Sequence, residues 1–194
     1  MNTSNENAAE SLAAVEDTIS RTRKAIASTY ESPFLIVWGV VWVSGFLGTY
    51  FFLGWVNWIW ALLCTVGTAA TAVICWRQFR VCAPTKTAGD RRIGLRTSLF
   101  WPLFFIYALV WLSIMEPHSG IQLNAFLCTA VMFAYVVIGL WFDSWIMVFL
   151  GLGVTGSTLA GLYLISPAYY CLWMAFAGGG PLLVTGLYIG LRWK

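Results

Sequence analysis

From residue 33 onward the chain alternates long apolar runs with short polar breaks, and each run approaches the length of a membrane-crossing helix. A helix needs about 20 mainly apolar residues to cross the hydrocarbon layer. That ruler predicts six spans, at about 33–53, 56–76, 97–115, 123–142, 145–165 and 170–191. Ser32-Pro33 predicts a sharp start for the first: a hydroxyl N-cap, then proline at the first helical position, where its missing amide hydrogen costs nothing. Gly54, the stretch from Glu116 to Gly120, and Ser166-Pro167 break the pattern on one side of the membrane. Asp143-Ser144 and the polar run from Arg77 to Arg96 break it on the other. Asp143 is expected to cap the fifth span, with Ser144 beside it.

Residues 1–32 follow a different rule. Ala8, Leu12, Val15, Ile19 and Ile26 recur at spacings of three and four, with Thr22 completing the set, while Glu10, Glu16, Asp17, Arg21, Arg23 and Lys24 fall opposite. This predicts an amphipathic helix over about 8–30. The tail carries three basic and five acidic residues, a net −2, and a net acidic helix is ill suited to an anionic lipid surface. Its apolar stripe therefore reads either as packing at the bundle's cytoplasmic end or as contact through Leu12, Val15, Ile19 and Ile26 with a partner protein or a second copy. The expected fold is an all-α integral membrane protein: a cytoplasmic tail with an amphipathic N-terminal helix, then a six-transmembrane-helix bundle over residues 33–194.

Composition supports the lipid setting. Of the 194 residues 60% are hydrophobic, 10% are charged and 12 are Trp, more apolar surface than a water-soluble domain of this size can hide. Charge then orients the bundle. Arg21, Arg23 and Lys24 precede the first span; Arg77, Arg80, Lys86, Arg91, Arg92 and Arg96 follow the second; Arg192 and Lys194 follow the sixth. All 11 basic residues thus fall on one side, which the positive-inside rule makes the cytoplasm of a plasma or inner membrane. Trp55, Trp58, Trp111 and Trp173 mark an outer aromatic belt, and Trp76, Trp101, Trp141, Trp145 and Trp193 an inner one. No cleaved leader is expected, because the first 32 residues lack a basic stretch running into an apolar one.

The candidate chemistry is mostly exclusion. The five cysteines form no CxxC pair and lie mainly in apolar runs, so neither a disulfide framework nor a metal site is expected. The centres of the six spans hold no charged residue, which argues against proton relays, ion-coupled transport and a lysine-linked retinal. The single histidine, His118, supplies neither haem ligation nor an acyl-transfer triad within a span. No phosphate-binding glycine loop occurs. The basic loop of about 20 residues is too small a surface for nucleic acid. The reading is a non-enzymatic protein without cofactor, its partners being the lipid bilayer and another protein or a second copy.

A few positions remain where a function would sit. Gly178, Gly179, Gly180 and Pro181 interrupt the middle of the sixth span: proline leaves the Ala177 carbonyl without its i−4 donor, and the glycines let the backbone deviate. Broken helices at the midplane expose backbone dipoles that bind solutes. Trp38 and Trp42, four residues apart in the first span, present an aromatic wall for the same ligand or for a neighbouring helix. Gly153, Ser157 and Gly161, with Gly156 and Ala160 alongside, form a small-residue face for helix packing or oligomer contact. Cys64, Thr68, Thr71 and Cys75 make a weakly polar stripe, and Asn57, Glu116, His118, Gln122 and Asn124 are candidates for an outer vestibule. Spans 1–3 and 4–6 show no internal correspondence of Gly, Pro or aromatic positions.

In size and topology alone, the plan is similar to the membrane-embedded substrate-binding subunits of energy-coupling-factor vitamin importers and to small urea or acetate channels. No motif of those families falls on these residues, so the resemblance assigns no site. Two functions follow as expectations. One is an anchoring, sensing or accessory subunit coupled to partner proteins; the other is a channel, transporter or binding subunit for a small neutral or aromatic solute.

Overall fold

The computed structural model describes residues 12, 15, 18, 31–82 and 88–192, and their side chains except at 79, 81, 82, 88–94, 97 and 98. The described residues form helices and turns, with no strand among them. In order come α1 (Ser32–Phe51), a 3-10 turn at Leu53–Trp55, α2 (Val56–Cys82), α3 (Ala88–Met115), α4 (Gly120–Trp141) and α5 (Trp145–Leu164). The final stretch, Pro167–Arg192, is composite: α6 (Tyr170–Met174), a π-helical turn at Ala175–Gly179, and α7 (Gly180–Arg192). Five helical stretches are long and apolar enough to cross a membrane, and a shorter apolar stretch, Leu99–Met115, occupies most of α3. The fold is that of a helical membrane protein.

Helix ends depart from the expected boundaries for identifiable reasons. α2 runs past residue 76 to Cys82, and α3 begins at Ala88 rather than 97, because Arg, Gln and Leu sustain a helix as readily outside lipid as within it. Pro33 stands in the first turn of α1 as expected, but Glu31 takes the N-cap position and Ser32 is already helical. The Ser32 hydroxyl instead donates across the bundle to the Gly186 carbonyl at 2.8 Å. Asp143 does not take the N-cap position of α5. It lies in the left-handed region at φ 56°, while Ser144 N donates to Gly139 O at 2.7 Å and Phe142 N to Ile138 O at 2.9 Å. That pattern is a Schellman ending for α4, and it leaves Ser144 at the N-cap position of α5.

Of the tail's apolar positions, Leu12 and Val15 are helical and exposed. Ile19, Ile26 and, Thr18 apart, the rest of the expected amphipathic helix lie outside the described residues.

The core is assembled by α1, α4, α5 and the final stretch. Leu35, Trp42 and Phe46 of α1 share one buried cluster with Met132 and Cys128 of α4, Leu150 and Val154 of α5, and Tyr170, Met174, Leu182 and Ile189 of the final stretch. Two glycine seams bring these helices close. Along α1 and α7, a Cβ placed on Gly39, Gly186 or Gly190 would lie 2.6 to 2.9 Å from atoms of Leu183, Ile36 or Ser32 respectively. Between α4 and α5, Gly139 lies against Met147 and Val148, and Gly151 against Val136 and the Met132 carbonyl. Such contacts supply dispersion where lipid removes the hydrophobic drive for helix association.

α2 and α3 flank this core. α2 leans on α1 through Trp60, whose ring lies over Gly45 and whose Nε1 donates to Thr49 Oγ1 at 3.0 Å. α3 meets α4 along a thinner seam, with the Trp101 and Tyr135 rings 6.3 Å apart. Only 6% of the most apolar window of α2 is buried, against 33% for α1 and 39% for α5.

Candidate functional site

The break in the final stretch occurs where Gly178 to Pro181 predict it. Pro181 cannot donate to Ala177, and the ladder widens into the π-helical turn Ala175–Gly179 before α7 resumes at Gly180. The structure brings this turn onto one of the two candidate tryptophans. A Cβ on Gly179 would lie 2.8 Å from the Val43 amide nitrogen and 3.1 Å from Trp42 Cβ, and one on Gly178 would lie 3.0 Å from Met174 Cε. Trp42 is 7% exposed, and its ring meets Phe46 edge-on at 6.0 Å. The space released by the glycines is thus occupied by α1.

Trp38 points the other way. Its Nε1 donates to Thr71 Oγ1 at 3.2 Å, which ties α1 to the weakly polar stripe of α2. The two tryptophans therefore serve different neighbours, despite their spacing of four.

The small-residue face of α5 divides similarly. Gly161 is buried against Trp173, whose Nε1 donates to the Ser157 carbonyl at 2.8 Å. Gly153 and Gly156 meet nothing within 4 Å. One end of the stripe joins α5 to the final stretch, and the other faces outward.

The polar residues expected to form an outer vestibule do not gather into one site. Gln122 Oε1 accepts from the His118 backbone amide, and Ser119 Oγ accepts from Gln122 N, forming a local cap at the start of α4. Asn124 turns inward, where its Oδ1 accepts the Tyr170 hydroxyl at 3.0 Å and faces Cys128 Sγ at 3.6 Å. Asn57, Glu116 and His118 are exposed. Sequence reasoning missed the Tyr170–Asn124 link; the signal was an asparagine one helical turn before Cys128, on the buried side of α4.

Two surface concavities lie elsewhere. A groove of about 380 Å3 runs along the α3–α4 seam between Phe104, Trp111, Phe126 and Phe133, with Ala108 and Ala130 in its floor. A cleft of about 190 Å3 sits between Gln122, Leu162, Pro167 and Tyr170. Neither is lined by Gly178, Pro181 or the tryptophans of α1.

At the opposite end, Ser144 Oγ donates to Glu31 Oε2 at 3.2 Å, joining the entry of α1 to the α4–α5 turn. Burial raises the Glu31 carboxyl above the ordinary glutamate range, and this hydrogen bond opposes the rise to a lesser degree. Among the described residues, no three His, Cys, Asp or Glu side chains gather as a metal site would require. Comparison with protein-family models, curated proteins and solved structures finds no match to the chain.

Proposed function

We propose that the chain is a non-enzymatic, six-span membrane subunit with both termini in the cytoplasm, which anchors, senses for or assists a partner protein. The observation that carries this reading is the unequal packing of its helices. α1, α4, α5 and the final stretch bury one another, whereas α2 and α3 are attached along one side each and leave Leu62, Val66, Leu109 and Val110 exposed. A pore or carrier needs its helices arranged around a path. An adaptor needs a stable core and free helical faces on which a neighbour can pack.

The orientation has support from two contacts. The Glu31–Ser144 and Ser32–Gly186 hydrogen bonds put the start of α1, the α4–α5 turn and the later turns of α7 toward one end of the bundle. In the six-span reading that is the end where the basic residues fall, and the positive-inside rule would turn it toward the cytoplasm.

The test is site-specific photo-cross-linking of the full chain in its own membrane, with probes at Leu62 and Val110 and a control probe at the buried Val154. A single protein captured at both exposed positions and absent at Val154 is expected. Adducts to lipid alone at both positions would overturn the reading. A second reading, a binding subunit or channel for a small neutral or aromatic solute, is favoured by one feature: the mid-span π-helical turn beside Trp42. Under it, Pro181→Ala and Gly180→Ala together would abolish solute uptake; unchanged uptake would remove it.

A further inference from the structure

The groove between α3 and α4 is built from two matching faces. Phe104, Ala108 and Trp111 recur along α3, and Phe126, Ala130 and Phe133 along α4, each set at spacings of four and three. Residues 116–119 join the two helices, and the Trp101 and Tyr135 rings meet 6.3 Å apart, so the helices run antiparallel. Phe104 and Phe133 therefore stand toward one end of the groove, and Trp111 and Phe126 toward the other. The middle holds only small side chains: Ala108 is buried and Ala130 half-buried. Aromatic ends keep the helices apart and the alanines do not fill the space between them, which leaves about 380 Å3 open. Beyond Phe104 the Trp101–Tyr135 contact closes the seam.

One wall is already fixed in place. The Phe104 ring stacks on Phe100 at 6.0 Å and meets Trp101 edge-on at 6.1 Å. The polar atoms on the groove are of two kinds. The Thr129 hydroxyl donates within its own helix, to the Ala125 and Phe126 carbonyls at 2.8 and 3.0 Å. Tyr107 Oη and Trp111 Nε1 have no hydrogen-bond partner among the described residues. These two residues lie one turn apart on the same face of α3, with about 5–6 Å between their Cβ atoms. An indole N–H can only donate, so it requires an acceptor. Ligand pockets are mostly apolar and aromatic, carry a few placed polar groups and span about 300–1,000 Å3. The groove has both that make-up and that size.

We propose that this groove binds a lipid-soluble molecule with a flat, carbonyl-bearing ring and a hydrocarbon tail, the chemistry of an isoprenoid quinone. The ring lies on the alanine floor between the aromatic walls, its carbonyl oxygens accept from Tyr107 and Trp111, and its tail leaves past Phe133 into the bilayer. A phospholipid acyl chain is the competing occupant. It carries no acceptor along its length for two donors set one turn apart, and ordering a flexible chain costs more entropy than ordering a rigid ring. A water-soluble solute fits less well, because the rim is aromatic and turned outward: Tyr107, Trp111 and Phe133 are each more than half exposed. The site includes neither Pro181 nor Leu109, which lies on the far side of α3. Its failure would leave both readings of function standing.

The test is native mass spectrometry of the full chain released from phosphatidylcholine nanodiscs loaded with increasing amounts of decylubiquinone or, in parallel, of decylbenzene, which keeps a ring and the tail but has no oxygen. One saturable quinone per chain is expected, held about tenfold more tightly than decylbenzene, as two modest hydrogen bonds would give. The double variant Y107F/W111F keeps an aromatic ring at both positions and removes both donors, and should bring the quinone down to the level of decylbenzene. Ala130→Leu fills the floor and should remove both ligands. Equal retention of the two ligands by the unaltered chain would overturn the proposal without any variant. So would quinone binding undiminished by Ala130→Leu, which would put the ligand elsewhere. Phospholipid adducts alone would return the groove to ordinary lipid, and a dimer without quinone would give it to a second copy; either result also overturns the proposal.

Discussion

Gly39 and Leu183 meet backbone to backbone: a Cβ on Gly39 would lie 2.6 Å from the Leu183 amide nitrogen. The contact is one rung of an antiparallel seam. Ser32 faces Gly190, Leu35 and Ile36 face Gly186, and Val43 faces Gly179. Each rung advances three or four residues on α1 while retreating by as many on the final stretch, which is the periodicity of two helices in continuous contact. The three consecutive glycines near the π-helical turn are therefore the far end of a longer device. It uses Gly179, Gly186 and Gly190 on one side and Gly39 on the other.

Adding one carbon to this seam should be costly, whereas adding it to α5's open face should not. Gly39→Ala must displace backbone, and overpacking of this kind costs about 1–3 kcal/mol. Gly153→Ala meets nothing within 4 Å and gains helix propensity, up to about 1 kcal/mol. Thermal unfolding of both variants in one detergent should move them to opposite sides of the parent. Equal shifts would contradict the close approach.

Stability should also depend on pH through Glu31. Its carboxyl is raised by burial in the folded chain, with the Ser144 hydrogen bond acting in the opposite direction. A raised acid binds its proton more tightly when folded, so its contribution is fully present below the ordinary glutamate value and is lost as pH rises through the raised one. Glu31→Gln keeps an oxygen acceptor for Ser144 without a charge, and should flatten the melting temperature across that window. Ser144→Ala removes the opposing influence and should extend the loss to higher pH. A pH profile unchanged by Glu31→Gln would rule out this linkage.

Much of the fold was legible because lipid imposes a simple rule: an apolar stretch of sufficient length must be helical and closed on itself. Pro33, the break at Pro181 and the apolar stretches all follow from local chemistry. What was not legible depends on a second helix. Ser32 has the sequence of an N-cap, but a carbonyl 154 residues away takes its hydroxyl. Asp143 and Ser144 both favour helix starts, and only the way α4 ends decides between them. Gly186 and Gly190 form a small-xxx-small pair as good as Gly153 and Ser157. The difference is that α1 lies against the first pair and nothing lies against Gly153.

The Tyr170–Asn124 hydrogen bond should behave as a modest clamp between α4 and the final stretch. Tyr170 is 1% exposed and its hydroxyl donates to Asn124 Oδ1. Interhelical hydrogen bonds in membranes average about 0.6 kcal/mol and reach about 1.7. Tyr170→Phe should cost within that range, because Asn124 keeps its neighbour Cys128. Asn124→Leu should cost more, since it strands a buried phenol hydroxyl. A double-mutant cycle should return a coupling energy of the first size; additive effects would mean that the two groups do not depend on each other.

The weakly held α3 offers the most direct physical test of the adaptor reading. Its N-terminal half meets α4 through Trp101 and Tyr135, and its C-terminal half buries Ala108, which is 6% exposed. Removing the Trp101 ring leaves a contact too small to fix the crossing. Spin labels on Leu109 of α3 and Leu140 of α4 should therefore give a narrow distance distribution in the parent and a broad one in Trp101→Ala. Labels on Phe149 of α5 and Val184 of α7 should be unaffected, because those helices are bound into the core. If α3 exists to receive a neighbour, the broad distribution should narrow again in membranes that contain the partner. Equal widths for both label pairs in Trp101→Ala would make α3 an ordinary member of the core, and would remove the observation on which the adaptor reading rests.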